Sequence, residues 1–114
     1  MTVETNFPGS WQTFFQAPTT TAAAAVYSVP TGVKSAVLIG LNISATTGGA
    51  AATVWISNGV TDYPVLDAKS ITANTAELYT FGNPVLKTGW AVKIKDGTGS
   101  KLTFAATIAE ETRS

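Results

Sequence analysis

The chain has 114 residues, seven basic and seven acidic side chains, a formal net charge of zero, and no His or Cys. One domain fits this length, and charged residues, at 12%, are about half the usual share of about 25%. A disulfide framework, a thiolate metal site and a basic stripe for nucleic-acid phosphates are thereby excluded, and the lack of His removes the commonest general base and metal ligand.

Thr and Ala fill the place of the missing charges. A surface of Thr, Ser, Ala, Asn and Gly is poorly defended against association, so much of it is expected to be covered by neighbours. Residues 1–5 lack the basic and apolar regions of a signal peptide, and no apolar run approaches the roughly 18 residues of a membrane span.

Phe7, Trp11, Phe14 and Phe15 stand among Pro8, Gly9 and Pro18 with neither a period of two nor one of 3.6. Residues 1–20 are therefore expected to form an extended N-terminal arm ahead of a β-sandwich domain over 21–114. The arm's aromatics dock on a partner or strap the chain's own core, and the pattern alone leaves both open. In the first case the arm is dispensable for folding.

Ala24 to Val29 alternates and stops at Pro30-Thr31-Gly32, a turn signal. Val33 to Ala45 is the longest run, and period two places Val37, Ile39, Leu41 and Ile43 on one face. Thr46-Thr47-Gly48-Gly49 turns the chain into Ala51–Ser57, where Val54 and Ile56 share a face and Trp55 opposes them. Asn58-Gly59 makes the next turn. Thr61–Asp67 contains Pro64, which confines it to an edge strand or an irregular crossing.

Ile71 to Asn74 is a bend, Ala76–Phe81 a strand, and Asn83-Pro84 to Leu86 a short strand. Trp90, Val92 and Ile94 share a face and point to the core. Across Asp96-Gly97-Thr98-Gly99, a hairpin is expected to Leu102 and Phe104. Keeping Ile94 and Leu102 on one face requires an odd number of loop residues or a bulge. Seven or eight short strands with no long helical period predict an all-β fold, an antiparallel sandwich or jelly roll.

The chemistry-bearing candidates are few. Asp62 and Asp67 flank a Pro-containing edge, where loop solvation outweighs a catalytic carboxylate pair, and Ca²⁺ is the one metal such oxygens could suit. Gly97 to Lys101 faintly resembles a phosphate loop, but a strand follows it where that motif needs a helix. Trp11, Trp55, Trp90 and Tyr63 could form a sugar-stacking platform. Interface composition favours a subunit contact for the exposed aromatics, with Trp55 and Tyr63 as candidate interface residues.

Tyr27-Ser28-Val29-Pro30-Thr31-Gly32, the long strand after it and the Gly-rich turn within 42–52 together resemble small virion proteins of tailed bacteriophages. Ile71-Thr72-Ala73-Asn74-Thr75-Ala76-Glu77-Leu78 and Pro84-Val85-Leu86-Lys87-Thr88-Gly89-Trp90 resemble further turns of that family. The resemblance covers roughly residues 20–110 and leaves the arm outside. It implies a jelly-roll-like sandwich, commonly a homotrimer, made in the host cytoplasm and carried in the virion. The expected role is head decoration or cement, binding between subunits of the major capsid protein or to another virion protein. No enzymatic activity, cofactor, nucleic acid or membrane is expected. A tail or neck structural protein on the same sandwich, with or without a receptor or glycan site, is the alternative. Phe7, Trp11, Phe14 and Phe15 are the expected partner-binding residues of the arm.

Overall fold

The computed structural model describes residues 9–111, and within them the chain is a jelly-roll-like sandwich of nine antiparallel strands. In chain order these are β1 (Gly9–Gln16), β2 (Ala24–Ser28), β3 (Ser35–Ala45), β4 (Ala50–Ser57), β5 (Asp62–Ile71), β6 (Ala76–Tyr79), β7 (Val85–Lys87), β8 (Ala91–Asp96) and β9 (Leu102–Glu111). The first sheet runs β1-β9-β3-β6, with β7 also paired to β3; the second runs β2-β8-β4-β5.

The core is the layer between the sheets. Leu102, Phe104, Ala106 and Ile108 alternate inward along β9, and Val92 and Ile94 face them from β8. Val54 and Ile56 are buried on β4 as alternation predicts, and Trp90 packs against the margin of the core. A buried side-chain hydrogen bond crosses the layer: the Tyr27 hydroxyl on β2 donates to Glu110 Oε2 on β9 at 2.6 Å. Burial and the adjacent carboxylate push the Tyr27 phenol well above its usual range. Among the described residues no buried side-chain nitrogen or oxygen lacks a hydrogen-bond partner.

Three sequence expectations are corrected. Period two does not hold along β3, because the register with β9 slips between Leu38 and Gly40. The extra residue, Ile39, reverses the alternation. Ala36, Leu38, Leu41 and Ile43 are buried, while Val37 and Ile39 are only half-buried and lie outside the core. A second slip, between Ala25 and Tyr27, lets the consecutive residues Val26 and Tyr27 both be buried.

Strands β8 and β9 do not form a hairpin. They lie in opposite sheets, and five residues, 97–101, carry the chain across. The odd loop length agrees with expectation, but its cause is a side chain. The Asp96 carboxylate, fully buried, accepts backbone N–H bonds from Thr98 and Gly99 on one oxygen and from Lys101 and Leu102 on the other, all at 2.8–2.9 Å. Burial raises the carboxyl pKa, but the four N–H donors outweigh it and hold it below the usual 3.8. Gly99, at φ +93, occupies the left-handed conformation this wrap requires. The loop's anion site is thus filled by the chain's own carboxylate, and the phosphate-loop likeness ends there.

The third correction concerns the arm. Residues 9–16 form a strand of the first sheet, paired with β9 in unbroken register from Gly9↔Glu111 to Gln16↔Phe104. Its aromatics hid the alternation because both faces carry them. Phe14 turns inward, and its ring centre lies 4.7 Å from that of Tyr27. Trp11 and Phe15 turn outward. Pro18 is buried, and its carbonyl accepts from the Ser100 amide at 3.0 Å, which ties the exit from β1 to the Asp96 loop. Phe7 lies outside the described residues.

Candidate functional site

Registers across the first sheet define its outer face. One row runs Phe15, Ala105, Asn42, Leu78 from β1 to β6; another runs Trp11, Ala109, Val37, Val85 from β1 to β7. Thr13, Thr107 and Gly40 lie between them. Each row begins with an aromatic and ends with an aliphatic residue, and the four ends are the exposed large apolar side chains: Trp11 52%, Phe15 70%, Leu78 67% and Val85 57%; Asn42, an uncharged amide within the first row, is exposed as well. The middle is low. β9 offers only Ala and Thr there, and β3 offers Gly40 beneath Leu78, whose Cδ1 would lie 3.2 Å from a Cβ at that position.

No charged residue interrupts either row. Charge returns only at one end, where Glu111 and Lys87 flank Ser35, whose hydroxyl donates to Glu111 Oε1 at 3.4 Å. The face is thus an apolar trough about 14 Å across, three strand spacings from β1 to β6, with raised walls. An uncharged face that exposes several large apolar side chains in this way has the character of an interaction surface.

The second sheet presents a different exterior. Lys93 and Lys95 stand on β8, and Lys93 Nζ bonds both oxygens of Asp62 at 3.2 Å. The Ser57 hydroxyl and then Lys93 hold the Asp62 carboxyl below its usual range. Trp55 sits half-buried on this face, in register with Lys93 on one side and Pro64 on the other. Tyr63 is 53% exposed on the edge strand β5.

The structure therefore separates the residues that a sugar platform would need together. Trp11 belongs to the outer face of the first sheet, Trp55 to that of the second, Trp90 to the margin of the core, and Tyr63 to an edge. Asp62 and Asp67 are five residues apart along extended β5, about 16 Å at the rise of a strand, too far to share one Ca²⁺. Among the described residues no group of three or more potential ligands converges.

Leu78 and Val85 are the site residues that sequence reasoning missed. Each looked like an ordinary strand hydrophobe, and only the pairing of β6 and β7 with the outer register of β3 shows that they face outward.

No protein-family model and no curated sequence matches the chain. Solved structures do. A capsid structure of a Helicobacter pylori bacteriophage aligns over 92% of this chain and 89% of its own, with a TM-score of 0.57 and 5% identity. A Bacillus endospore appendage protein, of a family of disulfide-linked pili, aligns over 91% and 87%, with a TM-score of 0.56 and 15% identity. A pentameric capsid protein from metagenomic phage sequences aligns over 88% of this chain and 61% of its own, with a TM-score of 0.47 and 15% identity. At these identities the first two likenesses establish a shared fold, the jelly-roll-like sandwich derived above.

Proposed function

We propose that this protein is a structural component of a bacteriophage virion, working by adhesion between surfaces and carrying out no chemistry. The observation that carries this reading is the uncharged apolar trough on the first sheet. Burial of such a face needs no charge to be desolvated, and each large side chain moved out of water contributes about 1.5–3 kcal/mol. The fold shared with a phage capsid structure supports the same reading.

The carboxylates support a mechanical role, because most already serve the fold. Asp62 pairs with Lys93, Asp96 closes its loop, Glu110 receives the Tyr27 hydroxyl, and Glu77 receives the Tyr79 hydroxyl at 2.5 Å. Burial, and then that last contact, push the Tyr79 phenol up to about 12.

The finer assignment is a head decoration or cement protein that self-associates, three copies to a unit as the resemblance implies, and sits between capsid subunits. The scatter of Trp11, Trp55, Trp90 and Tyr63 over separate surfaces favours this over a glycan-binding tail protein. A disulfide-linked filament like the endospore appendage is closed to a chain without Cys.

Gold-labelled antibody against the chain, viewed on purified particles of the phage that carries its gene, tests the proposal. Label is expected on the head. Label confined to tail or neck selects the alternative, and particles free of label sink the reading.

A further inference from the structure

We infer that the outer face of the first sheet is covered by another copy of this chain, with the aromatic margin of one copy seated on the aliphatic margin of the next. This deepens the self-association in the proposed function and rests on it. The argument begins with the two rows. Phe15 and Leu78 end one row, Trp11 and Val85 the other, so both margins have their exposed side chains at the same two heights along the strands. A rotation about an axis parallel to the strands preserves height and exchanges left for right. It brings Phe15 of one copy to the level of Leu78 of the next, and Trp11 to the level of Val85. A two-fold axis across the strands also superposes the rows, but it sets Phe15 on Trp11 and Leu78 on Val85, the wall of large rings against its own kind.

Size and charge agree. Ten residues of β9 at about 3.4 Å each, by four strands about 4.8 Å apart, make a face of about 34 by 19 Å, or about 650 Å². Two such faces remove about 1,300 Å² from water, within the range of about 1,200–2,000 Å² for specific interfaces. The face carries no charge between its rows, so an identical face repels nothing, whereas a partner chosen by charge would find nothing to read. The middle, of Ala, Thr and Gly with the uncharged Asn42, accepts the raised walls of the neighbour, as the inner faces of stacked sheets interdigitate.

Sedimentation and native mass of the purified full chain test this. The wild-type chain is expected to be an oligomer at about 1 to 50 µM. Phe15→Lys and Leu78→Glu, each at an exposed position, are each expected to give a folded monomer that unfolds in one cooperative transition, at a midpoint lowered only by the lost association. An equimolar mixture of the two is expected to recover association at a concentration at least about tenfold below that of either alone, because the new charges then face each other. Should Leu78→Glu lose its fold, Val85→Glu probes the same margin and mixes with Trp11→Lys.

Variants as oligomeric as the wild type overturn the inference while leaving self-association through another surface. Two monomeric variants whose mixture stays monomeric overturn the pairing of margins. A wild-type monomer that associates only after removal of residues 1–8 shows that the chain's own N-terminus covers the face. A wild-type monomer whose variants lose their label on the particle makes a shell protein the occupant. In each of these cases particle labelling decides the proposed function separately.

Discussion

Strands β1 and β5 both lie at the margin of a sheet, and they are built in opposite ways. β5 carries Pro64, Asp62, Asp67 and Lys69, its register with β4 slips twice, and Ala68 sits at φ +50. Charge, proline and irregular register are the means by which proteins keep a sheet edge from pairing with other chains. β1 has none of them. It holds one register with β9 over all eight residues, with no charge and no proline, and places Trp11 and Phe15 on the apolar outer face. The contrast separates a margin guarded against association from one that leads into a surface suited to it. The same division appears on the exteriors, with Lys93, Lys95 and Asp62 on the second sheet and uncharged rows on the first.

The sharpest way to break this comparison is to remove β1. If β1 were only a docking arm, truncation through Gln16 would leave the isolated domain intact. Because β1 pairs along β9 and seats Phe14 against Tyr27, truncation is expected to cost about 5 kcal/mol or more and to abolish cooperative unfolding. A truncated chain with a sharp wild-type melting transition would return β1 to the status of an appendage.

Asp96 joins the two sheets and serves both margins, so it separates a general defect of the fold from an edge effect. Asp96→Asn sets an amide N–H against backbone donors and is expected to cost about 3 kcal/mol by urea unfolding, with no selective effect on association. The folded carboxyl pKa is depressed. The contribution of Asp96 is therefore fully present above the unfolded value, near the ordinary 3.8, and is lost as pH falls through the lower folded value. The stability gap between wild type and Asp96→Asn should narrow below that range. A gap that stays constant with falling pH would remove the charge from the account.

Phe14 and Phe15 bring the comparison down to adjacent residues. Phe14→Ala is expected to lose about 2 kcal/mol of stability, because its ring packs on Tyr27 and the core. Phe15→Ala, 70% exposed, is expected to change the stability of the monomer by less than about 0.5 kcal/mol. Equal losses would mean that β1 does not divide its aromatics between the two faces.

The smallest effect lies on β5. Pro64→Val should alter the free energy of unfolding by less than about 1 kcal/mol while raising light scattering on storage, since it removes one guard from the edge. A variant that stays as soluble as the wild type would show that the charges and register slips guard this edge without the proline.

Strand positions were legible wherever one face is buried and the other solvated. The alternation of β9 and the turns at Asn58-Gly59 and within 71–74 follow from local chemistry, and Pro64 correctly marked an edge. β1 was not legible as a strand, because aromatics on both faces erase the period-two signal. The outer face could not be assembled from sequence either, since its rows join residues from five strands spread from Trp11 to Ala109.

The sequence by itself determined an uncharged all-β chain without His or Cys, because composition and alternation act locally and survive any topology. Only the tertiary structure decided which face each residue takes. One extra residue at Ile39 moves Leu38 into the core and Val37 out of it, and the four N–H bonds to Asp96 send β9 to the opposite sheet from β8. In a strand every side chain changes face with a single step of register, and register is set by partners far away in the chain.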